Sequence, residues 1–376
     1  SEKLFSKYGK QISQIRVIEK QSGEKISIGT GFFISDDGYI ATNYHVIQQA
    51  LEYPEKFILE LINHDQTKEN LEIINFDIIH DLSILKTSKK NTDFLKFSTQ
   101  TLKKGQKIYS LGNPKDLGFS IVEGINNGLL GNRRAERIFF SGSINPGMSG
   151  GAAINIEGEV VGINVASEGE QISYLVPVKY LIKLFERVQN GESIDLKNYF
   201  KIAGAQLFEF QNEFMSETLD SEWTLEPFGD AMIVKSPAEY FKAWGNTAID
   251  KKSLYNISIS GIQTQDRIYI NSDLQMEQIY LKYLWLDTDQ VSSYHFYNIL
   301  QSYAKEILAS SFAKEENLTE WVTHSDFLSN NDMNWKTIFA IRQYKNFPEL
   351  YDVAMIATTL DFQKKGLILK IRIKGI

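Results

Sequence analysis

The feature that most constrains the fold is a succession of short β-rich runs between about Gln11 and Ala166, separated by Gly, Asn, Asp and Pro. Runs of this length and spacing predict many short strands of the kind found in barrels. The segment 180–189 has helical spacing instead, with Leu181, Leu184, Phe185 and Val188 on one face. Asn190-Gly191 then provides a helix stop. The sequence therefore predicts an all-β, barrel-type N-terminal region that is closed by a helix.

A length of 376 residues is long for one domain and comfortable for two, and a hydrophobic fraction of 43% can fill two cores. We predict a first domain over 1–190, a linker over 191–203 and a second domain over 204–376. In the second half, a helix-like segment covers 294–312. Three alternating runs follow it and predict an antiparallel meander, at 337–343, 353–360 and 367–373. The predicted fold class is thus an N-terminal all-β double barrel followed by an α+β C-terminal domain.

The composition excludes several classes of function. The chain contains no cysteine, which removes disulfides, thiol catalysis and thiolate metal sites. The 40 Lys and Arg against 47 Asp and Glu give a net charge of −7 spread along the chain, so nothing indicates nucleic-acid binding. No apolar run reaches 18 residues, so we expect no transmembrane segment, and no signal peptide is visible at the N-terminus.

The segment Asn145-Pro146-Gly147-Met148-Ser149-Gly150-Gly151 places a serine in a glycine-lined turn between two apolar stretches. Glycines let the backbone turn sharply and direct successive N–H groups into one pocket. A serine there can act as a nucleophile if a base takes its proton and nearby donors stabilise an oxyanion. A single motif of this kind is more often an ordinary surface turn. The functional interpretation therefore depends on partners elsewhere in the chain.

Two residues are the natural partners. Of five histidines, His45 stands where the second strand of a predicted hairpin ends, after the turn Asp36-Asp37-Gly38. Asp81 lies in the apolar run 78–86, and a buried carboxylate needs a partner because its desolvation costs several kcal/mol. The sequence leaves His80 open as an alternative partner, although we interpret His80 as a half-exposed polar residue. His295 and His324 have no metal-ligand companions at useful spacing.

In the order His45, Asp81, Ser149, the chain resembles the trypsin-like (chymotrypsin-fold) serine peptidases, specifically the HtrA/Deg type. The resemblance extends from about Ile28 to Leu184 and departs from the family at Met148, where an asparagine is usual. Beyond about residue 200 it ends: Ala231–Glu239 has only a faint likeness to a PDZ core strand, so we expect no recognisable PDZ domain. Five blocks carry the resemblance: residues 29–46, 80–86, 111–128, 144–152 and 158–164.

The resemblance implies a chymotrypsin-like double barrel and a complete set of site residues. The catalytic residues would be His45, Asp81 and Ser149. The oxyanion hole would comprise Gly147, Met148 and Ser149. Substrate would be bound by Ser143 near the base of the S1 pocket, by the strand residues Ile163, Asn164, Val165 and Ala166, and by Tyr174 as a pocket wall. No metal or organic cofactor is implied, and the absence of an acid at the pocket base predicts an apolar P1 residue.

The expected function is a serine endopeptidase that hydrolyses protein or peptide substrates through an acyl-enzyme intermediate. Two alternatives remain: an enzyme that is latent until it is activated, and a catalytically silent scaffold that binds peptides with the same barrel. The resemblance also implies an activating peptide or partner protein at the C-terminal domain, and a homo-oligomer. The expected location is the periplasm or cell envelope of a bacterium, or secretion from the cell.

Overall fold

The computed structural model describes residues 1–131, 133–167, 171–236, 238–248, 254–276, 278–305, 316–330 and 333–376. The chain forms two compact units. The first comprises Ser1–Gly131 and Ala135–Gln206, and the second comprises Asn132–Arg134 and Leu207–Ile376. The expected fold class, an all-β double barrel followed by an α+β region, is confirmed.

The first unit begins with a closed six-stranded barrel of order β1-β2-β3-β6-β5-β4. Its strands are β1 (Ile12–Glu19), β2 (Lys25–Phe33), β3 (Tyr39–Thr42), β4 (Phe57–Ile62), β5 (Lys68–Asp77) and β6 (Leu82–Lys86). The predicted hairpin is confirmed, because β2 and β3 pair antiparallel and Gly38 adopts a φ of +85° in the turn. Closure leaves no free sheet edge, and the apolar residues alternate into the barrel interior.

A second closed barrel of order β10-β11-β12-β9-β8-β7 follows in the same unit. Its strands are β7 (Lys107–Gly112), β8 (Ser120–Leu129), β9 (Ile138–Phe140), β10 (Ala152–Ile154), β11 (Val160–Ser167) and β12 (Ser173–Pro177). One core runs between the barrels and includes Phe32 and Ile84 of the first barrel and Leu111 and Ile163 of the second. The turn that carries Ser149 connects β9 to β10.

The helices α1 (Glu2–Tyr8), α2 (Tyr44–Glu52) and α3 (Val178–Gln189) lie entirely within this unit. The amphipathic helix predicted over 180–189 is α3, and its four apolar residues are buried in the core as the spacing predicts. The segment 191–203, predicted as a linker, contains a 3-10 turn at Leu196–Asn198 and the first residues of α4 (Tyr199–Asp220). Tyr199 is 3% exposed, and its hydroxyl contacts that of Tyr44 at 2.5 Å.

The second unit is built on a seven-stranded antiparallel sheet of order β15-β16-β19-β23-β22-β21-β20. The strands of this sheet are β15 (Phe241–Ala248), β16 (Asn256–Thr264), β19 (Gln278–Asp287), β20 (Val322–Asn330), β21 (Met333–Tyr344), β22 (Phe347–Thr359) and β23 (Lys365–Lys374). Two further strand pairs lie outside it: β13 (Leu225–Phe228) with β14 (Ala231–Val234), and β17 (Ile268–Asn271) with β18 (Leu274–Met276). The predicted antiparallel meander is confirmed as β21-β22-β23. The helix predicted over 294–312 is α5 (Ser293–Ala304), and residues 306–312 of that prediction lie outside the described residues.

Within the described part of the chain, no helix has the length and apolar character needed to cross a membrane.

Candidate active site

His45 and Asp81 reach the same end of the first barrel because β3 and β6 are adjacent and antiparallel. Thr42 pairs with Ser83, so the residues that follow β3 and those that precede β6 leave the sheet together. His45 lies in the first turn of α2. Although it lies in an apolar run, Asp81 is outside the strand and occupies a left-handed turn with φ of +61° just before β6. Aspartate tolerates this conformation better than most residues.

The Asp81 carboxylate holds His45 through two hydrogen bonds. Its Oδ2 atom lies 2.7 Å from His45 Nδ1, and its Oδ1 atom accepts the His45 backbone N–H at 2.9 Å. The histidine side chain is 28% exposed and that of Asp81 only 9%. Burial lowers the pKa of His45, but the charge and hydrogen bond of Asp81 outweigh this effect and raise the pKa above the ordinary histidine value. The pair thus presents an oriented base that remains accessible from one side.

His80, the alternative left open by the sequence, has its own carboxylate. Its Nδ1 atom lies 2.7 Å from Asp77 Oδ2, and its backbone N–H donates to Asp77 Oδ1 at 2.9 Å. The His80 ring stacks on Tyr180 with ring centroids 3.7 Å apart. The structure therefore brings Asp81 to His45 and Asp77 to His80, which agrees with interpreting His80 as a non-catalytic residue.

The turn that carries Ser149 lies directly against the residues that lead into His45. A Cβ atom at Gly150, where φ is +83°, would come within 2.2 Å of Thr42 Oγ1 and 2.9 Å of the Asn43 amide nitrogen. Only glycine fits this close approach. The Thr30 N–H also donates to the Ser149 carbonyl at 2.8 Å. The Ser149 hydroxyl donates to the Val165 carbonyl at 3.0 Å.

Two backbone amides flank the serine with their donors available. Among the residues that the structure describes, none accepts a hydrogen bond from the N–H of Gly147 or of Ser149. The carbonyl of each of these peptides is bonded instead: Pro146 O accepts the Lys115 N–H at 2.8 Å, and Met148 O accepts the Gly151 N–H at 3.0 Å. Because a trans peptide directs its C=O and N–H in opposite directions, bonding the carbonyls fixes the directions of the two donors.

Met148 does not belong with these donors, although it was expected in the oxyanion hole. Its N–H donates to the Asn145 carbonyl at 3.0 Å, so the turn itself uses that donor. Its side chain is fully buried in a core cluster of the second barrel. The methionine that replaces the usual asparagine therefore contributes packing beneath the turn rather than a group at its surface.

Two of the expected substrate-binding residues are used inside the barrel. Ile163 and Asn164 are fully buried, and they pair with Val176 and Leu175 of β12. On the other edge, Asn164 exchanges backbone hydrogen bonds with Gly150 and Gly151 at 2.9 Å each. Their backbone groups are therefore not available to a substrate, and the Asn164 amide supports the turn by donating to Met148 O at 3.2 Å.

The remaining substrate residues lie nearer the surface. Val165 is half-buried and sits at an irregularity in the β11–β12 register, where Ala166 resumes pairing with Tyr174. Tyr174 is half-buried on β12, and Ser143 is exposed in the segment before the serine turn. Among the described residues, no cluster of three His, Cys, Asp or Glu side chains could hold a metal ion.

Sequence reasoning missed two buried polar residues, one that supports the serine turn and one that supports the turn of Asp81. Thr30 is fully buried; its hydroxyl donates to Gly147 O at 2.6 Å and accepts the Asn113 N–H at 3.0 Å. Asn43 is also fully buried and donates to the Asp81 carbonyl at 2.7 Å. Both residues lie within the sequence blocks around His45. The only sequence signal for them was that each is a polar residue within an otherwise apolar, β-rich run.

Two closed six-stranded β-barrels in succession are the fold of a trypsin-like peptidase domain. Residues 29–163 match the family model for the trypsin-like peptidase domain. The N-terminal region of the chain thus contains a match to the trypsin-like peptidase domain, and it is similar in sequence to DegP-like and DegS serine endoproteases.

Three curated relatives illustrate the similarity. A probable periplasmic serine endoprotease, DegP-like, from Halomonas elongata is 32% identical over 200 residues, which are 50% of this chain and 40% of that protein. One described in the same words from Chlamydia muridarum is 34% identical over 37% of this chain and 28% of that protein. The serine endoprotease DegS from Haemophilus influenzae is 28% identical over 52% of this chain and 59% of that protein. The chain therefore spans less than two thirds of each of these relatives.

A crystal structure of the serine endoprotease from Yersinia pestis also resembles the chain, with a TM-score of 0.45 and 24% identity. The similarity covers 51% of this chain and 68% of that one.

Proposed function

We propose that the chain is a serine endopeptidase in which Ser149 is the nucleophile, His45 the general base and Asp81 the residue that orients the base. The observation that carries this proposal is the pair of available amides at Gly147 and Ser149, beside a histidine whose tautomer a buried carboxylate fixes. A glycine turn with any other role would need neither feature.

In the proposed reaction, Ser149 Oγ attacks the scissile carbonyl while His45 Nε2 takes the hydroxyl proton. Asp81 keeps the Nδ1 proton in place and stabilises the imidazolium that forms. The Gly147 and Ser149 amides bind the oxyanion, and each such donor typically contributes roughly 2.7–4 kcal/mol to stabilising the transition state. His45 then protonates the leaving amine, and water hydrolyses the acyl-enzyme.

The substrate proposal is an extended peptide with an apolar P1 residue. Backbone pairing of substrate with the edge of a strand would recognise any sequence. Ile163 and Asn164 are bonded on both edges of β11, whereas the pairing of β11 with β10 does not reach Val165 and Ala166. Val165 and Ala166 are therefore the candidates for this role. Ser143 and Tyr174 would line the pocket. No acidic residue is among these four, which supports an apolar rather than a basic P1 residue.

We make three broader proposals, on location, partners and assembly. Their printed names place the DegP-like proteins in the periplasm, and we propose the bacterial cell envelope for this chain as well. We also propose the 204–376 domain as the site of an activating peptide or partner protein, and a homo-oligomer as the assembled state. The directed donors at Gly147 and Ser149 favour an enzyme that is competent at rest over one that is latent.

The test compares the wild-type chain with Ser149→Ala. Cleavage of an unfolded protein is measured together with fluorophosphonate labelling, with and without added peptides. We expect the wild type to cleave and to label at Ser149, and the variant to do neither. Cleavage by Ser149→Ala would refute the assignment of the nucleophile. Peptide binding by a wild type that neither labels nor cleaves would show the silent scaffold, and labelling only with added peptide would show latency.

A further inference from the structure

A short loop, Asn113–Gly118, packs directly behind the serine turn; we call it the 113–118 loop. The Lys115 N–H donates to Pro146 O at 2.8 Å, and this bond fixes the peptide whose N–H belongs to Gly147. The loop also occupies the space beside Gly147, since a Cβ atom there would lie 2.5 Å from the Asn113 carbonyl oxygen. The orientation of one proposed oxyanion donor therefore depends on where this loop is held.

The backbone conformation of the loop is not one that its residues prefer. Lys115 has φ of 50° and ψ of 27°, and Asp116 has φ of 62°. Side chains other than glycine enter this left-handed region at an energetic cost, and lysine gains no local hydrogen bond there. Two consecutive residues in this conformation persist only when contacts from the surrounding structure maintain them.

The Asp116 carboxylate provides such contacts to the first barrel. Its Oδ1 atom accepts Gln14 Nε2 at 2.7 Å and lies 3.6 Å from an Arg16 nitrogen, and its Oδ2 atom accepts the Lys25 ammonium group. These hydrogen bonds from Lys25 and Gln14 hold the pKa of Asp116 below its ordinary range. All three partners lie on β1 and β2, so one carboxylate fixes the loop to the first barrel.

We propose that Asp116 is a positioning residue for the oxyanion hole. By holding the 113–118 loop against β1 and β2, it keeps the Lys115 amide on Pro146 O and so keeps the Gly147 N–H directed beside Ser149. Without this anchor the loop relaxes from its left-handed conformation, Pro146 O loses its donor, and the 146–147 peptide becomes free to rotate. This inference rests on the proposed function, because it specifies what one donor of that site requires.

The experiment uses the full chain with Asp116→Ala and Asp116→Asn. Asparagine tolerates the left-handed conformation and can still accept from Gln14, but it loses the charge that pairs with Lys25. The matched control is Asp37→Ala, which removes a carboxylate of the same barrel bound by Lys86 and Lys90. Fluorophosphonate labelling is followed for both rate and final extent, with circular dichroism to verify folding.

We expect Asp116→Ala to label about tenfold more slowly at full final extent, a change equivalent to about 1.4 kcal/mol. Asp116→Asn should be intermediate and Asp37→Ala unchanged. In peptide hydrolysis, kcat should fall while KM stays within about twofold, since the oxyanion forms only in the transition state. An unchanged labelling rate for Asp116→Ala would overturn the proposal. So would a reduced extent at an unchanged rate, because that result means only a loss of folded protein.

A second measurement separates this inference from the proposed function. Hydrogen exchange of the Lys115 amide depends on its bond to Pro146 O and needs no reactive serine. We expect faster exchange over 113–118 in Asp116→Ala than in the wild type, with no change in Asp37→Ala. If the wild type fails to label with or without added peptide, but residues 113–118 still exchange faster in Asp116→Ala than in the wild type, the proposed peptidase function is contradicted and the anchor is established. Identical exchange in all three proteins would overturn the anchor.

Discussion

The replacement Asp81→Asn tests the His45–Asp81 geometry most sharply. Asp81 Oδ1 accepts the His45 backbone N–H at 2.9 Å, and Oδ2 lies 2.7 Å from Nδ1. In the variant, we expect the amide oxygen to remain on the backbone N–H, which leaves the amide NH₂ facing Nδ1. The ring must then accept at Nδ1 and carry its proton at Nε2. A histidine in that tautomer cannot take a proton from Ser149.

The size of the effect follows from the cost of the reverse orientation. Turning the amide around leaves the backbone N–H facing another donor, and an unsatisfied buried donor costs about 1–3 kcal/mol. The productive tautomer is then populated at roughly one part in 10 to 100. The lost charge also removes support for the imidazolium, at about 1.4 kcal/mol for each unit by which the pKa of His45 falls. The corresponding Asp→Asn replacement in a Ser-His-Asp triad lowers kcat by about 10⁴-fold. From these two effects and that precedent, we predict that Asp81→Asn lowers kcat by about 10³–10⁴-fold.

The assay is steady-state hydrolysis of a fluorogenic peptide, with circular dichroism to verify folding. Asp77→Asn is the matched control, because Asp77 binds His80 with the same two distances, 2.9 and 2.7 Å. Its kcat should remain within about threefold of wild type if His80 has no catalytic role. The reasoning is refuted if Asp81→Asn keeps more than about a tenth of the wild-type kcat. A comparable loss in Asp77→Asn would refute it as well.

Three further predictions concern the oxyanion turn, the pH dependence and the second unit. Gly147→Ala adds a Cβ atom 2.5 Å from the Asn113 carbonyl oxygen, which displaces the proposed oxyanion donor, so we expect kcat to fall about 10²–10³-fold. Gly105→Ala is the control for backbone strain, because Gly105 also has a positive φ, +87°, but has open space around it. The pKa of His45 is raised, so as the pH decreases, kcat should begin to fall at a pH above the ordinary histidine pKa. The stability contributed by protonated His45 has the opposite dependence: it is present at low pH and is lost as the pH rises through the folded-state pKa. The pH profiles of kcat and of urea unfolding measure these two effects. In the second unit, the Arg342 guanidinium donates to the buried Asp352 carboxylate at 2.7 and 2.9 Å, and Asp352→Ala removes this acceptor. We expect the free energy of unfolding, measured by urea titration, to fall by about 3–5 kcal/mol. An unchanged urea midpoint would contradict this prediction.

Local sequence patterns determined the elements of this fold well. Alternation and turn residues predicted the β2–β3 hairpin and the β21-β22-β23 meander, because strand pairing between sequence neighbours depends on local signals. The face of α3 followed from helical spacing alone. The segment 191–203 was harder to interpret, because its polar residues resemble a linker. Tyr199, the first residue of α4, is nevertheless buried, in contact with Tyr44 far away in the sequence.

The sequence by itself determined which residue types the site contains: a serine between glycines, a histidine at a strand end and an aspartate in an apolar run. Only the tertiary structure decided which histidine receives Asp81 and which amides have their donors available. The first choice depends on the β3–β6 register, and the second on carbonyls bonded by Lys115 and Gly151. These are contacts between segments far apart in the chain, where a shift of one residue reverses the direction of a side chain. No local pattern encodes them.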